Sequence, residues 1–180
     1  MRPTRRLGAA VLLALGVTCA VASGGDARDA ASPAVPRPTG PQEVEVVGVV
    51  IDPRSQVPAL VLQGKRDKRN VVMSIDPAQM LAISLPLQGV TPPRPLTHDL
   101  FLSLFGRLHV TLTRVVITDF RDDVYYALLH LSTQGTDLTL DARPSDAVAL
   151  AIRARVPVLV EDRVFDRGGA ERLAPRRPSI

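Results

Sequence analysis

A pattern that occurs twice along the chain constrains the fold more than any other feature of the sequence. Each copy places three predicted strands before a predicted helix that begins with proline, at Pro77 and at Pro144. A shift of 67 positions superimposes these prolines and also carries Gln79 onto Asp146. Few residues are identical between the copies, but one shift holds across the whole unit. The pattern predicts an internal duplication of a β-β-β-α unit, whose two halves share one hydrophobic core.

The predicted elements follow from alternating β-branched runs and from helix capping signals. The strands of the first copy are 43–52, 58–62 and 70–75, and those of the second are 109–119, 124–132 and 138–142. A third helix begins between the copies, where Thr97 is the expected cap, and runs to about Leu108. Its apolar residues Phe101, Leu104 and Phe105 fall on one face. The expected class is α+β, a mostly antiparallel sheet with about three helices.

Both ends of the chain differ in composition from the middle. Residues 1–22 combine three arginines with an apolar run and a small-residue cleavage pattern, which predicts a signal peptide and export to the periplasm or outside the cell. An uncleaved membrane anchor is the alternative; after cleavage no stable membrane span is expected. Residues 23–41 are rich in Pro and Gly and predict a flexible linker, and 167–180 predict a basic disordered tail. The folded domain is therefore expected over 42–166.

The charge of the whole chain does not indicate a nucleic-acid-binding face. The net charge is +4 and the pI is about 10.0, but residues 1–22 carry +3 and 153–180 carry +3, while 42–152 carry −2. Aromatic residues are 3 % of the chain, which argues against a single-strand binder built on base stacking. A single cysteine excludes an intrachain disulfide.

Two loop-to-helix junctions hold most of the polar residues that are suited to chemistry. Arginines at these positions offer donors for a phosphate, and helix N-termini add backbone N–H groups. Neighbouring carboxylates can hold Mg²⁺ or Mn²⁺, and His98 can act as a general base or acid. The candidates are His98, Asp99 and Asp146 as catalytic residues, Arg94, Thr97, Arg143 and Ser145 for phosphate, and Asp141 with Asp146 for metal.

From spacing alone, a structural interpretation of the same residues is favoured over a catalytic one. Acidic residues in a first helical turn are favoured by the helix dipole alone, and Ser and Thr are common caps. Asp99 and Asp146 both occupy such positions, and Arg94 and Arg143 can pair with them.

Three motifs together resemble the bifunctional nuclease family. They are PPRPLTHDL at 92–100, RVVITD at 114–119 and DARPSDAVALAIR at 141–153, and the resemblance runs from about Glu43 to Phe165. It implies an α+β fold, cleavage of DNA and RNA as substrates, assistance by a divalent metal, and possible homo-oligomers. The polar motif positions are the site residues named above.

Gln79 departs from the pattern of that family, whose members usually carry Glu there. Because Gln79 corresponds to Asp146 in the duplication, one carboxylate of a pair has become an amide, a weaker metal ligand that cannot act as a base. Gln88, where the family often has Glu, is a further departure. Two hypotheses follow: an exported, metal-assisted nuclease of low sequence specificity, or a non-catalytic binding or assembly module that keeps the fold. A small-molecule phosphoesterase would use the same groups.

Overall fold

The computed structural model describes residues 40–53 and 55–170. It contains seven strands and four helices within those residues. In chain order they are β1 (Gln42–Ile51), β2 (Pro58–Gly64), β3 (Asn70–Ser74), α1 (Pro77–Leu87), α2 (Thr97–Arg107), β4 (Val110–Arg121), β5 (Val124–Thr133), β6 (Thr136–Ala142), α3 (Pro144–Ala154), β7 (Val158–Val160) and α4 (Asp162–Ala170).

The strand order of the sheet reflects the duplication. The order is β3-β2-β1-β7-β4-β5-β6, so the three strands of each copy lie on opposite sides of β7. β1 runs antiparallel to β7 and β4 runs parallel to it, while the other neighbouring pairs in the described residues are antiparallel. A half-turn about an axis normal to the sheet at β7 therefore relates the two copies. The α+β class and the mostly antiparallel sheet are confirmed.

Short turns and caps account for the local boundaries. Asp122 and Asp123 both have positive φ, at 52° and 59°, which is the two-residue turn that matches the twist of a β-hairpin. Asp76 caps α1, since its Oδ1 accepts a hydrogen bond from the Gln79 N–H at 3.0 Å, and Pro77 takes the first helical position.

One apolar core joins both copies. It includes Leu60 and Ile83 from the first copy and Leu129 and Val148 from the second, all almost fully buried. The sheet is strongly curved: the Tyr125 hydroxyl on β5 donates to the Val72 carbonyl on β3 at 3.4 Å, although four strands lie between them in the sheet order. Among the described residues, no helix is long and apolar enough to cross a bilayer.

Two elements at the C-terminal end were not predicted. β7 has three residues and inserts at the centre of the sheet, and α4 packs on the core through Val164 and Phe165. The Arg69 guanidinium lies 4.5 Å from the centroid of the Phe165 ring and also binds Asp162 at 2.6 Å, so α4 is fixed to the β2–β3 turn. The helix includes 167–170, which the sequence places in the tail. The predicted signal peptide, most of the linker and 171–180 lie outside the described residues.

The start and the apolar face of α2 also differ from expectation. Leu96, and not Thr97, is the N-cap; its N–H donates to Asp99 Oδ2 at 2.9 Å, so the acid supplies the acceptor that the leucine side chain lacks. On the apolar face Phe105 is buried, but Phe101 and Leu104 are exposed. Periodicity identifies the apolar face and does not show whether a neighbour covers it.

Candidate active site

The N-terminal turns of three helices meet at one place. Asp76 precedes α1, His98 lies in the first turn of α2, and Arg143 and Asp146 lie at the start of α3. The three turns are joined by side chains: His98 Nε2 is 3.2 Å from Asp146 Oδ1, and Arg143 Nη1 donates to Asp76 Oδ2 at 3.4 Å. Helix N-termini carry positive partial charge, so their convergence favours an anion.

Asp146 is the centre of this cluster, and both of its carboxylate oxygens have partners. Oδ2 accepts from Arg143 Nε at 2.7 Å, and Oδ1 faces His98. Burial of Asp146 opposes ionisation, but the hydrogen bonds from Arg143 and His98 outweigh it and hold the pKa of this carboxyl below its ordinary value. Asp146 is therefore ionised at neutral pH. The hydrogen bond that Arg143 donates to Asp146 in turn raises the pKa of Arg143, most of whose side chain stays exposed.

The contact with Asp146 fixes which nitrogen of His98 is reactive. An ionised carboxylate only accepts hydrogen bonds, so Nε2–H donates to Asp146 and the neutral ring leaves Nδ1 without a proton. Nδ1 has no hydrogen-bond partner in the part of the chain that the structure describes. The pair therefore presents a base whose orientation is held by a carboxylate, an arrangement that can accept a proton from water.

Asp99 belongs to a second, structural cluster beside the first. Its Oδ1 accepts from Arg153 Nε at 2.8 Å and its Oδ2 accepts from the Leu96 N–H. Burial opposes ionisation here too, but these two donors prevail and hold the pKa of Asp99 below its ordinary value. Arg153 Nη1 also donates to the carbonyls of Ala82 at 2.6 Å and Ala149 at 2.9 Å. Asp99 thus ties α2 to α1 and α3, and it positions the neighbouring His98.

Several candidate residues from the sequence lie apart from the central cluster. Arg94, Thr97 and Asp141 are exposed, and none of their side chains forms a hydrogen bond or ion pair with another described residue. Ser145 is buried in the first turn of α3. The structure therefore brings together His98, Arg143 and Asp146 and places Asp99 beside them.

The donor set does not fit a divalent cation in this arrangement. Within residues 40–53 and 55–170, no group of three or more His, Cys, Asp or Glu side chains is placed to hold a metal ion. The oxygens of Asp146 are taken by Arg143 and His98, and those of Asp99 by Arg153 and the Leu96 N–H. A metal would have to displace one of these partners.

Arg153 and Asp76 are the site residues that the list of candidates lacks. Arg153 follows the apolar run 147–152 of α3 and lies seven positions after Asp146, which places both on one helix face. Its side chain is 8 % exposed. An arginine in a buried stripe requires a partner, so the sequence does carry a signal for a buried ion pair, although it does not identify Asp99.

The fold and the cluster define a class: an α+β protein, built from a duplicated unit, with a carboxylate-oriented histidine and an exposed arginine where three helices begin. Comparison with known proteins agrees with this class. A model of the bifunctional nuclease domain matches residues 60–172. The chain belongs to the bifunctional nuclease domain family.

Relatives show how far the similarity extends. A protein of Mycobacterium tuberculosis that carries no functional name is 39 % identical over 127 residues, 71 % of this chain and 76 % of that protein. Bifunctional nuclease 1 of Oryza sativa subsp. indica is 30 % identical over 108 residues, 58 % of this chain and 32 % of that protein. Bifunctional nuclease 2 of Oryza sativa subsp. japonica is 27 % identical over 128 residues, 68 % of this chain and 39 % of that protein.

Proposed function

We propose that this protein hydrolyses phosphodiester bonds in DNA and RNA with low sequence specificity. The observation that carries the proposal is the His98–Asp146–Arg143 cluster at the meeting of three helix N-termini. It places His98, an oriented base that can activate water, beside the Arg143 cation and the partial positive charge of the helix N-termini. These positive groups can stabilise the charge on a phosphodiester during hydrolysis. Membership of the bifunctional nuclease domain family and the names of the rice relatives support the same activity.

The proposed step uses these groups as follows. Arg143, whose side chain is mostly exposed, binds a non-bridging phosphate oxygen through Nη2, while Nε keeps its bond to Asp146 and Nη1 its bond to Asp76. His98 Nδ1 takes a proton from a water molecule as the water oxygen attacks phosphorus. The bond to the leaving oxygen then breaks, and that oxygen takes a proton from solvent. Asp146 stabilises the imidazolium that forms.

Cleavage assays with matched controls test the proposal. Purified full-length protein is incubated with plasmid DNA and with RNA, and His98→Ala and Asp146→Asn are compared with His109→Ala and Asp123→Asn. The control residues are exposed and have no side-chain partner among the described residues. We expect cleavage of both substrates, a loss of about 10²–10⁴-fold in each site variant, and rates near wild type in the controls. Equal rates in all four variants would contradict the proposal.

Assistance by Mg²⁺ or Mn²⁺ stays a separate prediction, which follows from the family resemblance. The same assay is run with each ion and with EDTA. Cleavage that EDTA abolishes and either ion restores would support the prediction, and it would require a partner of Asp146 or Asp99 to move. Undiminished cleavage in EDTA would end the metal prediction and leave the histidine step intact.

We also propose that the protein is exported. The support is the signal-peptide pattern of residues 1–22, with cleavage expected after Ala22. Expression with a tag at the C-terminus, followed by cell fractionation and N-terminal sequencing, tests it. A mature form in the exported fraction that begins at Ser23 supports the proposal. Uncleaved protein in the membrane fraction favours the anchor, and uncleaved protein in the cytoplasm contradicts export.

A non-catalytic binding or assembly module is the second candidate function, and Gln79 favours it. Gln79 lies in the first turn of α1, at the position that the duplication pairs with Asp146, and its buried Oε1 has no hydrogen-bond partner among the described residues. A copy of the site that has lost its carboxylate suits a domain that kept the fold and lost the activity. An inert wild type that gains cleavage in Gln79→Glu would support this function, and clear cleavage by the wild type would end it.

A further inference from the structure

A groove of about 560 Å³ opens outside the catalytic cluster and has no part in the step above. It lies between the segment that joins α1 to α2 and the C-terminal end of α3. Val90, Pro92 and Pro95 line one side, and Ile152 and Arg155 line the other. Asp99 also lines it. Asp146 lies in the first turn of α3 and Arg155 follows its last residue, so the two are about 13 Å apart along the helix axis and the groove lies away from the catalytic cluster.

The walls of the groove are mostly apolar, and the net charge of its lining residues is positive. Its charged lining residues are Asp99, Arg153 and Arg155. Asp99 and Arg153 neutralise each other at 2.8 Å. Arg155 is exposed and has no hydrogen-bond or ion-pair partner within the described ranges. Arg155 is therefore the one charged lining residue, among those that the structure describes, that no ion pair compensates, which favours an anion.

Arg155 has a left-handed backbone conformation. Arg155 follows the last residue of α3 with φ 57° and ψ 42°, the left-handed conformation that glycine adopts most readily. An L-residue in this conformation is strained. The Arg155 side chain does not offset this strain through any hydrogen bond or ion pair to described residues, so its charge is available to a ligand.

We infer that the groove binds an unpaired nucleotide of the substrate strand away from the scissile phosphodiester, with its base against the proline and valine wall and its phosphate on Arg155. The volume is within the range of about 300–1,000 Å³ that suits small ligands, and it does not admit a base pair with both backbones. The lining contains no aromatic ring, so the base is held by apolar contact, which gives little sequence preference. This inference rests on the proposed function.

Binding of a short oligonucleotide tests the groove independently of catalysis. Fluorescence anisotropy of a labelled single strand of about ten nucleotides is measured in EDTA between about 50 and 200 mM salt. We expect Arg155→Ala to raise Kd about tenfold, as for loss of one charge-assisted contact, and to lower the salt slope by about 0.7, as for one phosphate. Arg107→Ala is the matched control, since Arg107 is exposed, lacks a described partner and lies outside the groove. Equal Kd and slope for the two variants, or no binding by the wild type, would overturn the inference.

Two further measurements separate the groove from the cleavage step and from folding. Hydrolysis of bis(p-nitrophenyl) phosphate, which has no flanking nucleotide, should be unchanged in Arg155→Ala; an equal loss on both substrates would overturn the inference. Arg155→Gly should raise Tm while weakening oligonucleotide binding, since glycine relieves the strain. If the wild type binds the oligonucleotide through Arg155 but cleaves no substrate, the inference about the groove stands and the nuclease proposal is contradicted. Duplex of the same sequence that binds as tightly as the single strand overturns the claim of an unpaired nucleotide.

Discussion

The first turns of α1 and α3 occupy corresponding positions in the two copies, but their carboxylates make different contacts. At α1 the acid precedes the helix: Asp76 caps the Gln79 N–H, and the third helical residue is a buried amide. At α3 the acid is the third helical residue, Asp146, which holds both Arg143 and His98. Asp76 caps its own helix and meets Arg143 only at 3.4 Å, whereas the carboxylate that lies three positions further along its copy, Asp146, binds Arg143 at 2.7 Å and also His98.

A second difference between the copies lies in what each receives from α2. The segment between the copies supplies His98 to Asp146 and Asp99 to Arg153, and both partners belong to α3. α1 contributes to the same region through the carbonyl of Ala82 and through Asp76. The two turns are equivalent in the duplication, but only the turn of α3 receives a histidine from α2.

Replacing the third residue of α3 should have the largest effect. Asp146→Asn removes the charge that orients His98, and we expect the rate of RNA cleavage to fall about 10³-fold, equivalent to about 4 kcal/mol. Asp76→Asn is the matched change at α1, and we expect it to keep the rate within about threefold. This result would show that the two turns differ in their contribution to cleavage. Steady-state rates of both variants measure it, and comparable losses in both would break the comparison.

Replacing Arg153 should mainly lower the stability of the fold. Arg153→Met leaves Asp99 and two carbonyls without their donor, and we expect the free energy of unfolding to fall by about 2–3 kcal/mol, toward the low end for a broken buried pair because Asp99 is partly exposed. Urea denaturation measures it. Arg107→Met on the exposed face of α2 is the control and should stay within about 0.5 kcal/mol of wild type. Equal losses would show that α2 is not fixed through Arg153.

Acid should weaken the α2–α3 contact through Asp99. Its pKa is lower in the folded state than the ordinary value of about 3.9, so the stabilisation is complete above that pH and is lost as pH falls through the folded pKa. We expect the stability difference between wild type and Asp99→Asn to be constant above about pH 5 and to shrink below about pH 4. Denaturation at a series of pH values checks this, and a difference that grows in acid would have the wrong sign.

The cap of α1 should contribute a smaller amount to the free energy of unfolding. Asp76→Ala removes the acceptor for the Gln79 N–H, and we expect a loss of about 1 kcal/mol in stability. Asp76→Ser, which can still cap the helix, should recover most of it. Thermal unfolding of the two variants provides the measurement, and equal Tm values for Ala and Ser would show that the cap contributes nothing.

Of the corresponding residues Gln79 and Asp146, only Gln79 should be replaceable by an apolar residue without loss of stability or activity. Gln79→Met removes a buried oxygen without a described partner at similar volume, and we expect stability to rise by up to about 1 kcal/mol with cleavage unchanged. Urea denaturation and the RNA assay are the two readouts. A loss of both would give Gln79 a binding role that the comparison does not assign to it.

The sequence predicts much of the fold because both copies follow local rules. β-branched alternation gives six strands, and Asp76-Pro77 and Pro144 mark two helix starts within a residue. β7 is missed because three residues after Pro157 are too short to show a period, and α4 because Gly168 and Gly169 interrupt its C-terminal half. Which strand lies at the centre depends on the packing of both copies together.

The candidate site is predictable in its residue types and not in its pairings. Arg143, Asp146 and His98 are recognisable from their places at helix starts. That Asp99 pairs with Arg153, 54 positions away, depends on how α2 crosses α3, and no local pattern encodes this. For the same reason Arg94 and Asp141, which share the motifs, lie exposed and without described side-chain partners.

A double-mutant cycle between His98→Ala and Asp146→Asn tests the central claim most directly. If the two side chains form one oriented base, removing the second adds little once the first is gone, as for residues that act as a unit. We therefore predict that the double variant cleaves RNA as slowly as the slower single variant. Losses that multiply, or a single variant that keeps the full rate, would contradict the claim that this junction is the active site.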